Sequence, residues 1–191
     1  MGTITTLIRD LDGLKVPVAG AYSLDPSHTT IGFTARHLMV TKVRGSFDSY
    51  EVDLHVAERI EESTLKVKIE AASIDTKNAD RDAHLKSPDF LDVENHPYLE
   101  FVSTGVRHAG GDSWAVEGEL SIVGVTRPVT LALDLLGETV DPWGNTRLLA
   151  TASAEIDRED WGLTWNQVLE AGGVLVSKKI LIEIEAQALP A

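Results

Sequence analysis

The sequence predicts an all-β chain, an antiparallel barrel or sandwich of roughly eight to ten strands carrying one short helical lid. Three observations predict it. Apolar residues recur at every second position over most of the chain, the period of a strand with one buried face, as in Leu65, Val67 and Ile69 set between Lys66, Lys68 and Glu70. Tight-turn sequences separate the runs, among them Asp25-Pro26, His108-Ala109-Gly110-Gly111-Asp112 and Asp141-Pro142-Trp143-Gly144-Asn145. The alternation fails once, between Asp75 and Phe101, where Asn78 is placed to cap a helix over 79–86 and Pro88 to stop it.

Taken in order, residues 1–19 read as an N-terminal extension of weak pattern, and the barrel domain covers 20–191. The first strand runs over 21–24. Ile31, Phe33, Ala35 and His37 share the inward face of the next, with His28 on the opposite face. Val43, Gly45 and Phe47 follow, then Tyr50, Val52, Leu54 and Val56, then Leu65, Val67, Ile69 and Ala71. Beyond the lid, the inward sets are Leu99, Phe101 and Ser103; Trp114, Val116, Gly118, Leu120 and Ile122; Val129, Leu131, Leu133 and Leu135; and Leu148, Ala150, Ala152, Ala154 and Ile156. An apolar stretch over 163–169 and a turn at Gly172-Gly173 lead to the last strand, with Ile180, Ile182, Ile184 and Ala186 on one face.

The 191 residues suit one domain with a sizeable core. A net charge of −13 repels phosphate backbones, so nucleic-acid binding is not expected, and docking to anionic membrane surfaces is disfavoured. The absence of cysteine excludes disulfides, thiolate chemistry and Cys-ligated metals. Arg9, Asp10 and Asp12 interrupt the N-terminal segment too early for a secretory signal, and no apolar run is long enough for a spanning helix. The expectation is a cytoplasmic chain without stable membrane insertion.

A barrel of eight strands is wide enough to be filled by its own side chains or to hold one small ligand. Ala35, Gly45, Ala71, Gly118 and the row Ala150, Ala152, Ala154 place small residues where a filled core wants bulk, while Phe33, Phe47, Phe101 and Trp165 are large enough to take up the space. Periodicity leaves a tapered, filled core and a pocket both open.

The motifs go further. D-P-S-H-T-T-I-G-F-T-A-R-H from Asp25 with G-S-F from Gly45, R-D-A-H-L-K-S-P-D-F-L-D from Arg81, G-E-L-S-I-V-G-V-T-R-P-V-T-L from Gly118, D-P-W-G from Asp141 and I-D-R-E-D-W-G-L from Ile156 resemble, in order, the blocks of the YceI-like family, the lipocalin-like, polyisoprenoid-binding family. The resemblance covers roughly residues 20–187. It implies an elongated barrel around a long apolar tunnel, one end shielded by helical segments, with an isoprenoid quinone or polyprenyl lipid along it and pairing into a homodimer. Sequestration of other hydrophobic compounds is the alternative it leaves open.

On this reading the tunnel lining includes Phe33, Ala35, Phe47, Leu54, Ile69, Phe101, Leu120, Ala152 and Trp165, while His37, Arg81 and His84 are candidates for head-group or lid contacts. No catalytic residue, metal ligand or cofactor is expected beyond the bound lipid itself. Arg81 is expected to anchor the lid through Asp92 or Glu94, and Trp143 to pack on the barrel end. Two other readings stand beside it: an enzyme using His37 or the Asp80–His84 pair, which share a helix face at i,i+4, and a filled structural barrel working through protein contacts.

Overall fold

The computed structural model describes residues 6–38, 40–168 and 174–191. The ends of the expected segments at 1–5, at Leu169 and at Gly172-Gly173 lie outside the described residues.

One pairing turns the sheet into a barrel. Strands β3 (Gly20–Leu24), β6 (Tyr50–Val56), β7 (Thr64–Glu70), β9 (Tyr98–Gly110), β10 (Ser113–Ile122), β11 (Val125–Val140), β12 (Thr146–Asp157) and β13 (Lys179–Pro190) follow one another in the order β12-β11-β10-β9-β7-β6-β3-β13. β13 then returns to β12 through an antiparallel ladder running from Leu148↔Ala188 to Asp157↔Lys179, which closes eight antiparallel strands into a barrel.

The free side of β13 is divided between two partners. Its last residues pair with β3, from Ala188↔Leu24 to Pro190↔Tyr22, while 181–185 pair with β4 (Thr30–His37). β4 continues to β5 (Thr41–Phe47) and to the two-residue β8 (Ile74–Asp75), so a three-strand flap grows from the wall at one end. Helix α1 (Ala79–Lys86) follows β8 directly, with Asn78 accepting a 2.9 Å bond from the Arg81 amide as its cap.

The opposite end is closed by a hairpin of β1 (Ile8–Leu11) and β2 (Leu14–Pro17), which among the described residues pair only with each other. Residues 6–19 of the extension are therefore built into the core: Val16 is fully buried, packed with Leu7, Tyr22, Val56, Ile60, Trp114, Leu148 and Ala188. Arg9 secures the hairpin by donating to the carbonyls of Ala57 (3.0 Å) and Glu58 (2.6 Å).

Register irregularities bend the long strands. Between Glu117 and Gly118 the β9–β10 ladder slips by one residue, and Ser103 Oγ accepts a 2.8 Å bond from the Leu65 amide beside it. In β11 the slip between Leu135 and Gly137 leaves Leu136 unpaired and exposed. Two expectations change locally: Ala71 lies in a buried 3-10 turn after β7 rather than on it, and His28 lies in the turn before β4, bonded to Asp25 at 2.9 Å.

Candidate functional site

The barrel is hollow along much of its length. A cavity of about 390 Å³, within the range of small-molecule sites, extends from Pro17, Leu24 and Trp114 at the hairpin end to Leu85, Phe90, Leu163 and Val176 at the lid end. Over the eight residue steps of β12 from Leu148 to Ile156, a tilted strand advances about 20 Å along the barrel axis. The inward residues Phe33, Phe47, Leu65, Val67, Ile69, Ile180 and Ile182 are only partly buried, because they face this space.

Pairing of small residues opens the middle of the wall. Ala150 stands opposite Ala186, and Ala152 lies between Leu133 and Ile184. The glycines act in the other direction. A Cβ at Gly45 would come within 2.5 Å of Phe33 Cζ, and one at Gly118 would overlap the Phe101 ring and sit 2.7 Å from the Val102 carbonyl oxygen. The two rings lie across bare backbone, so the absent side chains are replaced by a neighbour's aromatic and flatten the wall instead of enlarging the hollow.

Phe33, Ala35, Phe47, Leu54, Ile69, Phe101, Leu120 and Ala152 all line the cavity. His37, Arg81, His84 and Trp165 stand outside that lining. The β13–β4 ladder ends at Leu181↔Thr34, so beyond Ala35 the strand leaves the wall, and His37 forms a backbone bridge to Val176. Arg81 does not reach Asp92 or Glu94: the end of β8 lies beneath the first turn of α1, and the guanidinium donates to Thr76 Oγ1 and the Thr76 carbonyl, both at 2.7 Å. Asp92 is meanwhile engaged by Asn95. Asp82 accepts from the Thr76 amide at 2.9 Å, which makes buried Thr76 the hub of the lid.

His84 pairs with Asp89 (2.8 Å), not Asp80. Its ring meets Trp165 edge-on at 4.6 Å and Phe90 at 5.1 Å, a cluster that clamps α1 to the segment after Trp161. Phe90 faces the cavity, and Trp165 packs against it at a tilt, ring centroids 5.3 Å apart. Phe90, Leu85 and Leu91 therefore supply the lid's apolar underside, a role the sequence pattern around the helix did not single out.

Arg158 is the one charged residue in the lining among the described residues. It continues the even-numbered inward row of β12, a signal present in the sequence. Only 3% exposed, it donates from Nε to the Ser177 carbonyl (3.0 Å) and from Nη1 to the Leu163 carbonyl, while Nη2 has no partner among the described residues. Burial pushes its pKa down, opposed by the Asp157 and Glu159 charges. Through those carbonyls it ties the start of β13 to the 3-10 turn 158–161 and so shapes the lid end.

At the opposite end, Arg147 bridges Asp25 and Asp141. Hydrogen bonds from His28, Arg147 and the Ser27 amide hold Asp25 at a pKa of about 2. Burial pushes Asp141 up, but bonds from Asn145, Arg147 and the Trp143 amide outweigh it and bring it to about 2. Asp141 thus closes its turn from within. Trp143, expected against the barrel end, is 79% exposed for that reason. Among the described residues, no three His, Asp or Glu side chains gather closely enough to hold a metal ion, and no helix is long and apolar enough to cross a membrane.

Residues 22–188 match the model of the YceI-like domain. The chain belongs to the YceI-like family. Among curated relatives, a UPF0312 protein of Azotobacter vinelandii is 36% identical over 154 residues, covering 79% of this chain and 80% of its own. The YceI-like barrel recurs in solved structures. A Campylobacter jejuni YceI protein superposes with a TM-score of 0.69 at 26% identity, over 88% of this chain and 97% of that one. A polyisoprenoid binding domain from Saccharophagus degradans, implicated in plant cell wall breakdown, shares the fold with a TM-score of 0.63 at 14% identity, over 90% of this chain and 99% of its own.

Proposed function

We propose that this YceI-like chain is a non-enzymatic carrier of a long apolar molecule, an isoprenoid quinone or polyprenyl lipid, held along the barrel axis. The observation that carries the reading is the cavity itself: long, about 390 Å³, and walled almost wholly by aliphatic and aromatic side chains. Such a wall offers a ligand burial and little else, at about 25 cal/mol per Å² of apolar surface removed from water. A thin, flexible chain of methyls and double bonds suits it better than a compact polar metabolite. The fold shared with a domain named for polyisoprenoid binding points the same way. The enzymatic alternative draws less support from the geometry, since His37 and His84 stand outside the lining and Asp80 is not the partner of His84.

The test is a homologous series of chain lengths. While added methylenes still enter the cavity, each is expected to tighten binding by about 0.8 kcal/mol, close to fourfold. The gain should stop once the chain outruns the roughly 20 Å of hollow barrel. Affinity that is flat with chain length sinks the carrier reading and favours weak surface adsorption. A homodimer and cytoplasmic residence complete the proposal. Light scattering at twice 20.7 kDa and recovery in the cytosolic fraction are their expected signatures, and a monomer mass or another compartment would overturn them.

A further inference from the structure

The outward face of the β4–β5 hairpin runs against the charge of the chain. Arg36 and Lys42 are direct cross-strand partners, and Arg44 is the next residue on that face, opposite Thr34. All three side chains are exposed and none forms an ion pair among the described residues. Carboxylates on the two neighbouring strands are already engaged: Glu183 of β13 accepts from the Thr34 hydroxyl at 2.7 Å, and Asp75 of β8, opposite Ser46, pairs with Lys77. Like charges placed directly opposite one another destabilise a strand pair. A chain of net charge −13 nevertheless keeps three cations together here, with no acidic residue between 36 and 47.

The described residues at the tip of the same hairpin are apolar and exposed. Leu38 is 45% and Val40 77% accessible, and Val168 of the adjoining segment is 85% accessible. Backbone contacts bring these together: the Leu38 amide donates to the Leu175 carbonyl at 2.9 Å, and Val168 is bridged to Val174. The corner also borders the lid end of the cavity, since Val176, the bridge partner of His37, is a lining residue.

We infer that this basic hairpin with its apolar tip is a docking surface for an anionic lipid bilayer, which presents the lid end of the barrel to the membrane. Arg36, Lys42 and Arg44 meet the lipid phosphates, and Leu38, Val40 and Val168 enter the head-group layer. The acidic remainder of the chain is repelled, so the barrel lands in one orientation. Net charge alone argues against such a surface; the clustering of the charges reverses that locally. The inference extends the carrier reading by giving the lipid a place of transfer, but docking is measurable without any ligand in the tunnel.

The full chain is floated with vesicles of phosphatidylcholine alone and of phosphatidylcholine with about a third phosphatidylglycerol. Binding is expected only to the anionic vesicles and is expected to fall with added salt. Replacing Arg36, Lys42 and Arg44 together by Gln should weaken it about a hundredfold, at about a fivefold loss per cation. That variant should leave the melting temperature unchanged or raised, because it relieves like-charge repulsion, and should leave chain binding in solution unchanged. Val40→Asp should weaken docking with all three cations in place. Equal binding by the triple variant, or no flotation with anionic vesicles, overturns the inference. Self-association through this face without vesicle binding does so as well, by assigning the surface to a second copy. Loss of chain binding in solution with docking intact would instead remove the carrier reading alone.

Discussion

Ala152→Trp is expected to fold and to lose affinity for a long apolar chain by close to two orders of magnitude. Ala152 faces the hollow between Leu133 and Ile184, so an indole placed there projects into open space rather than into a packed neighbour. The usual cost of overpacking, about 1–3 kcal/mol, is therefore largely avoided. The ligand bears the loss. Excluding about 100 Å² of buried chain removes about 2.5 kcal/mol, which is roughly seventyfold in Kd. A melting curve and a binding isotherm on the same preparation separate the two effects. Unchanged affinity in a folded variant would mean that the chain does not pass Ala152.

Gly118→Val should do the reverse, lowering stability through the wall rather than blocking the hollow. Its Cβ would overlap the Phe101 ring and lie 2.7 Å from the Val102 carbonyl oxygen, and the second of these atoms belongs to backbone held in the β9–β10 ladder. Neither can retreat without giving up burial or hydrogen bonds. A loss of about 3 kcal/mol is expected, seen as a fall of about 6–12 °C in Tm for a chain of this size. Combining it with Phe101→Ala should recover part of the loss that the two single changes would sum to, because the ring is one of the two obstacles. Simple additivity in that cycle would show that the glycine is kept for some reason other than the ring.

The same two residues mark what a sequence shows and what it hides. Alternation within a strand placed Phe33, Leu54, Ile69 and Ala152 on the inner face correctly, because the period of two is a property of each strand alone. Gly45 and Gly118 read as empty positions for the same reason. Their space is taken by Phe33 and Phe101 from adjacent strands, a relation set by register and not by either strand's pattern. The helix over 79–86 and its Asn78 cap were legible as local chemistry. The partners of Arg81 and His84 were not, since they depend on where the chain lies after β8 and after Pro88. Two further features are written in the sequence as local chemistry: the Asp12-Gly13 turn, with φ of 52° and 85°, joins the end-closing hairpin, and Arg158 falls in phase with the inward row of β12.

The most direct test of a hollow, chain-binding barrel is the mass of the intact protein purified gently from the cells that make it. Native mass spectrometry is expected to show the 20.7 kDa chain with an added apolar molecule, released on denaturation and recoverable for identification. A bare mass under native conditions, unchanged when polyprenols or isoprenoid quinones are supplied, would contradict it and return the barrel to a scaffold whose interior is not its working surface.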